Sequence, residues 1–165
     1  MSIRKQSIML AHSSGIKVGF YHFFTSADEV ESQARDFIKN AVPLSWELPP
    51  VIICDNTLGQ QIQSDYADRV EHFAAILEQQ FQVRPIIYTD RLFATEHFGE
   101  REAKYPLFIV QFTPSAAPLV PKPWSDFAFW HVGYGVKDDS VLAGDDIIAF
   151  KGSVADLDAL SARRK

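Results

Sequence analysis

The chain has 165 residues, 47% hydrophobic and 22% charged, with a formal net charge of −5. That balance describes one domain with a substantial core and excludes a disordered chain. Lys and Arg are scattered except for Arg163-Arg164-Lys165, so a nucleic-acid partner is not expected.

Cys54 is the single cysteine, so no internal disulfide is expected. No apolar stretch reaches membrane-spanning length, and residues 1–15 lack a signal-peptide core. The expectation is a chain without a membrane span, cytoplasmic as written, with export only by a non-classical route.

In chain order, Ile3 to Ser14 reads as a helix stopped by Gly15, a candidate left-handed residue. Ile16 to Phe24 reads as a strand. Ser26 and Glu29 match a capping box, and Val30, Ala34, Phe37, Ile38 and Ala41 share one face of the helix behind it. Pro49-Pro50 fix the start of a buried strand, Val51 to Cys54, and Asp55-Asn56-Thr57 open the loop at its C-terminal end. Tyr66, Val70, Phe73, Leu77 and Phe81 mark the next amphipathic helix. Arg84 to Thr89 is a strand, Asp90 to Ala103 a short helix, and Leu107 to Phe112 a strand. A loop with Pro114, Pro118, Pro121 and Pro123 follows. Phe127 to Val132 and Asp146 to Phe150 complete the strands, and Asp156 to Arg163 closes the chain as a helix.

Alternating strands and helices predict an α/β fold with a parallel sheet, either doubly wound or a (β/α) barrel. No Gly-rich phosphate loop follows a strand, and no Gly-x-Ser-x-Gly elbow is present. His12, His22, His72, His97 and His131 are dispersed without metal-ligand spacing, so neither a metal nor a cofactor is expected. Asp55 stands at the strand end where parallel α/β folds do chemistry. It is equally readable as the first residue of an Asx turn. Sugar-cleaving enzymes normally use two carboxylates, yet two residues earlier on the same strand face stands Ile53. Aromatic residues recur at strand ends: Tyr21, Tyr88, Phe112 and Trp130.

At these residues the chain resembles the glycoside hydrolase family 25 lysozymes, or muramidases. Gly19-Phe-Tyr-His-Phe-Phe24 is similar to that family's Gly-Ala-Tyr-His-Phe strand, with Gln33-Ala34 and Phe37 after it. Leu48-Pro-Pro-Val51 is similar to its Leu-Pro-Pro-Val-Leu-Asp-Val-Glu strand. Pro85-Ile-Ile-Tyr-Thr89 resembles Pro-x-Ile-Tyr-Thr, and Tyr105-Pro-Leu-Phe108 resembles Tyr-Pro-Leu-Trp. Trp130-His131 falls where the family has Trp-Gln, and Asp146 falls on the aspartate of its last Asp-x-Asn strand. The segments keep their order from Ile8 to Gly152. The resemblance implies a (β/α) barrel of the lysozyme type lacking its first two strands, as a single domain over 1–165.

The departures bear on chemistry. In the family's Asp-x-Glu pair, the aspartate position is Ile53 and the glutamate position is Asp55. The Asn of the last strand is Ile148, the strand Trp is Phe108, and Gln is His131. The resemblance therefore implies vestigial or weak catalytic acids at Asp55 and Asp146, with a further acid to be sought at Glu47 or Asp90. Substrate-binding positions are expected at Tyr21, His22, Tyr88, Phe108, Gln111, Trp130 and His131. Two functions compete. One is a non-catalytic lysozyme-like protein that binds a protein partner, in an accessory or immunity-type role, or a second copy through an open barrel edge, or else a cell-wall glycan fragment. The other is an attenuated muramidase cleaving N-acetylmuramic acid–N-acetylglucosamine linkages.

Overall fold

A computed structural model describes residues 3–57, 59–113, 115–134 and 146–161. Helix α1 (Ile3–Ser13) precedes strand β1 (Tyr21–Phe23), helix α2 (Val30–Ala41) and strand β2 (Val51–Ile53). Helix α3 (Tyr66–Phe81), strand β3 (Ile86–Asp90), helix α4 (Arg91–His97) and a 3-10 turn (Glu102–Lys104) follow. Strands β4 (Leu107–Val110), β5 (Phe129–Tyr134) and β6 (Asp146–Phe150) lead to helix α5 (Val154–Ser161).

The strands form one sheet in sequence order, β1 to β6. β1 to β5 are parallel, as the alternation with helices predicts. β6 instead runs antiparallel to β5, which corrects the all-parallel expectation. Residues of both β1 and β6 line one cavity on the concave face of the sheet. Among the described residues no ladder joins these two strands, so the architecture is a partial (β/α) barrel.

The convex face carries the core. α2 buries Val30, Ala34, Phe37 and Ala41, and α3 buries Tyr66, Val70, Phe73, Ala74 and Leu77. Those spacings of three and four residues place one stripe of each helix against the strands. Beneath them lie Ile52, Cys54, Ile87 and Ile109, all fully buried. Burial raises the Cys54 thiol well above its usual range, so Cys54 acts as a small core residue.

Several local signals act differently from their sequence pattern. Gly15 takes φ +72° after α1, as expected of a helix stop. The Ser26–Glu29 pair is not a capping box, because α2 starts at Val30 with Glu29 at its N-cap and no side-chain cap. Ser26 is buried, and its hydroxyl donates to the Gln61 carbonyl at 2.7 Å. A reciprocal cap does form at α5, where Ser153 and Asp156 bond each other's side chain and backbone N–H. The predicted helix over 90–103 divides. Asp90 ends β3, and its carboxylate accepts from the N–H groups of Leu92 and Phe93 to cap α4. α1 does not pack extensively on any strand. His12 of α1 lies against Glu47, at 2.9 Å. No described helix is long and apolar enough to cross a membrane.

Candidate functional site at the concave face

Side chains alternate across a strand, and neighbours in register share a face. Val51, Ile53 and Asp55 therefore point to the concave side, while Ile52 and Cys54 point to the helices. Register extends the concave row from Phe23 to Ile53, Tyr88 and Phe108. A second row runs from Val110 to His131 and Ile148. Apart from Val110, these rows line a cavity of about 380 Å³, which Tyr21, Tyr134 and Asp146 also border. Asp55 and Thr57 also border a more open groove of about 710 Å³, with Asp90, Glu96 and His97 on its far wall.

The polar groups of the cavity are few. Asp55 is half-buried, and its Oδ1 accepts from the Thr57 backbone N–H at 3.1 Å and hydroxyl at 2.7 Å. This is the Asx turn, and the same carboxylate faces the cavity. Tyr88 Oη lies 3.0 Å from His131 Nδ1. His131 Nε2 lies 3.3 Å from Asp146 Oδ1 but outside hydrogen-bonding geometry. Burial pushes the Tyr88 phenol up to about 12, and the nearby Asp55 and Asp146 charges act in the same direction. Tyr88 is thus a neutral O–H donor at physiological pH. Its ring meets Phe108 edge-on at 4.9 Å.

Of the residues expected at the site, Asp55, Asp146, Tyr21, Tyr88, Phe108 and His131 line this cavity. His22, Trp130 and Gln111 do not. His22 shares its register with Ile52, so it points to the helices, where Nε2 lies 3.0 Å from Gln33 Oε1 and the ring stacks on Phe73. Trp130 pairs with Ile109 on the same buried side, and its indole N–H donates to the Gln111 carbonyl at 2.8 Å. The Gln111 side chain accepts from the Leu119 backbone N–H at 2.7 Å and so holds the proline-rich loop. Glu47, sought as another acid, receives the Val18 N–H and His12 ahead of β1, at the opposite end of the strands. Asp90 is committed to capping α4.

Phe23, Ile148 and Tyr134 join the cavity without having been expected as site residues. Phe23 was readable by counting two from Tyr21. Tyr134 was not. It stands three residues after His131 yet shares its side, because a bulge at Val132 gives β5 one residue more than β6 between these positions.

The profile of Glycosyl hydrolases family 25 matches residues 2–134. An autolytic lysozyme of Clostridium acetobutylicum is 29% identical over 151 residues, covering 92% of this chain and 41% of that protein. Escherichia coli YegX is 22% identical over 150 residues, covering 91% of this chain and 54% of YegX. The chain thus spans about half the length of the curated relatives it matches. Among solved structures, a bacterial lysozyme from Streptomyces coelicolor superposes with a TM-score of 0.80 at 22% identity. That superposition covers 97% of this chain and 79% of the lysozyme, and at this identity it speaks for the fold. A concave, ring-lined sheet face and a profile match over most of the chain lead to one conclusion: this chain belongs to glycosyl hydrolase family 25.

Proposed function

We propose that the chain binds glycan strands of peptidoglycan in the concave cavity and hydrolyses them little or not at all. The observation that carries this is the composition of the cavity. Tyr21, Tyr88, Phe108 and Tyr134 offer faces and edges for sugar rings, while Asp55, Asp146 and His131 supply polar contacts. Between the Phe23 and Tyr88 positions of the central row stands Ile53, which offers neither a proton nor an acceptor. Cleaving a glycosidic bond requires a general acid and a second carboxylate acting as base or nucleophile. Asp55 can supply one carboxylate, about 1.5 Å shorter than a glutamate would. Its strand neighbour Ile53 supplies none, and the cavity's other carboxylate, Asp146, stands on β6 beside His131 Nε2 at 3.3 Å.

Co-sedimentation with insoluble peptidoglycan, run beside a reducing-end assay on the same sample, tests the proposal. Binding without release of reducing ends is the expected result. Absence of binding would refute it. The competing function is attachment of a protein partner or second copy at a sheet edge. It draws on β1 and β6, the two end strands of the sheet among the described residues, where Tyr21 and Ile147 are 62% and 42% exposed. An unchanged monomer mass in solution, together with retained glycan binding, would reject a second copy.

A further inference from the structure

His131 is 6% exposed, yet its Nε2 has no hydrogen-bond partner among the described residues. A buried ring N–H without a partner is costly unless a ligand supplies one. Which nitrogen carries the hydrogen follows from the neighbours. Tyr88 Oη lies 3.0 Å from Nδ1, and as a neutral phenol it can donate to that nitrogen or accept from it. On the other side, Nε2 faces the Asp146 carboxylate at 3.3 Å. A bare nitrogen lone pair there would oppose the anion, whereas an N–H is attracted to it. The Asp146 carboxylate favours the Nε2–H form, and in that form Nδ1 accepts the Tyr88 hydroxyl hydrogen. Phe112 and Tyr134 hold the ring edge-on, at 5.0 and 5.7 Å between centroids.

We propose that Tyr88 fixes the tautomer of His131, so that His131 Nε2–H and Asp146 Oδ1 present a paired donor and acceptor to one hydroxyl group of a sugar. A hydroxyl accepts from the N–H while donating to the carboxylate, a pairing that an ether oxygen, a carbonyl or a cation cannot complete. Asp146 is 56% exposed at its side chain and reachable from solvent. His131 supplies the specificity, because its position is set by buried contacts. Tyr88 acts through His131 and is a positioning residue. This inference rests on the glycan-binding proposal and refines it by naming which groups read the sugar and which chemical group they read.

The test has two arms on the full chain. In the first, ring-nitrogen correlations of ¹⁵N-labelled protein report the His131 tautomer without any ligand. The expected result is hydrogen on Nε2 in the parent and loss of that preference in Tyr88→Phe. Hydrogen on Nδ1 in the parent would overturn the tautomer assignment, and an unchanged tautomer in Tyr88→Phe would overturn the positioning role of Tyr88. In the second arm, calorimetry measures binding of the soluble tetramer of β-1,4-linked N-acetylglucosamine. His131→Leu should weaken binding about tenfold or more, as loss of a buried hydrogen bond to ligand implies. His131→Gln, which keeps an amide N–H in reach, should retain most of it. Binding by His131→Leu within about twofold of the parent would overturn the recognition role. Failure of the parent to bind either the tetramer or peptidoglycan would remove the glycan proposal and the hydroxyl ligand together. The tautomer arm would still decide whether Tyr88 fixes His131.

Discussion

Replacing Ile53 with Asp and Asp55 with Glu restores, on one strand, the two acids that glycosidic cleavage uses. Residues two apart on a strand share a face with Cα atoms about 6.6 Å apart, so both side chains reach the cavity. In the parent, a missing acid–base partner costs on the order of 10² to 10⁴ in rate. An acid drawn back by more than ~1 Å costs on the order of 10² more. Together these place turnover about 10⁴ to 10⁶ below an intact pair. A typical turnover of about 1–10³ per second would then fall below what turbidity clearing detects. Position 53 is half-buried, so a carboxylate placed there keeps contact with solvent and its desolvation cost is only partial. Reducing-end release from purified peptidoglycan should be at background in the parent and in Asp55→Asn alike. It should rise at least about tenfold above background in the double variant. Turnover by the parent that vanishes in Asp55→Asn would refute the reasoning.

Trp130→Ala should cost about 3–5 kcal/mol of stability in denaturant unfolding, because the indole is 8% exposed and bonded to the Gln111 carbonyl. Trp130→Phe should be milder and leave glycan affinity unchanged, since the ring lies behind the sheet. The sign of a pH effect follows from Tyr66, Tyr88 and Tyr105, whose phenols burial raises above the ordinary value of 10.0. Their neutral forms favour the folded state. That stability is fully present below pH 10 and is lost as pH rises through the folded value of about 12 for Tyr88. Midpoints of urea unfolding should therefore fall steadily above pH 10, and a flat profile there would contradict the burial. Gln82 caps α3 at φ +55°, a conformation that costs a non-glycine residue about 1 kcal/mol. Gln82→Gly should raise the midpoint by up to that amount, less the bond its side chain makes to the Gln79 carbonyl.

Strand and helix identity was legible because each element satisfies a periodicity in its own residues. Val30, Ala34, Phe37 and Ala41 could face the core only from a helix, and Val51 to Cys54 could be buried only as a strand. What the pattern left open was which side of a strand each aromatic takes, since both sides of a parallel sheet carry apolar groups. His22 and Trp130 went to the helices because Ile52 and Ile109, their partners in register, are fully buried there. Register joins strands distant in the chain, and no local spacing records it. The antiparallel course of β6 and the bulge at Val132 are likewise products of pairing. Those two features move Tyr134 beside His131 and bring Asp146 opposite Tyr134. The polar cluster that would read a sugar is therefore assembled by the one strand whose direction departs from the alternating pattern. The residues on its cavity side, Asp146 and Ile148, are where substitutions should alter ligand choice while the helix-backed core stays intact.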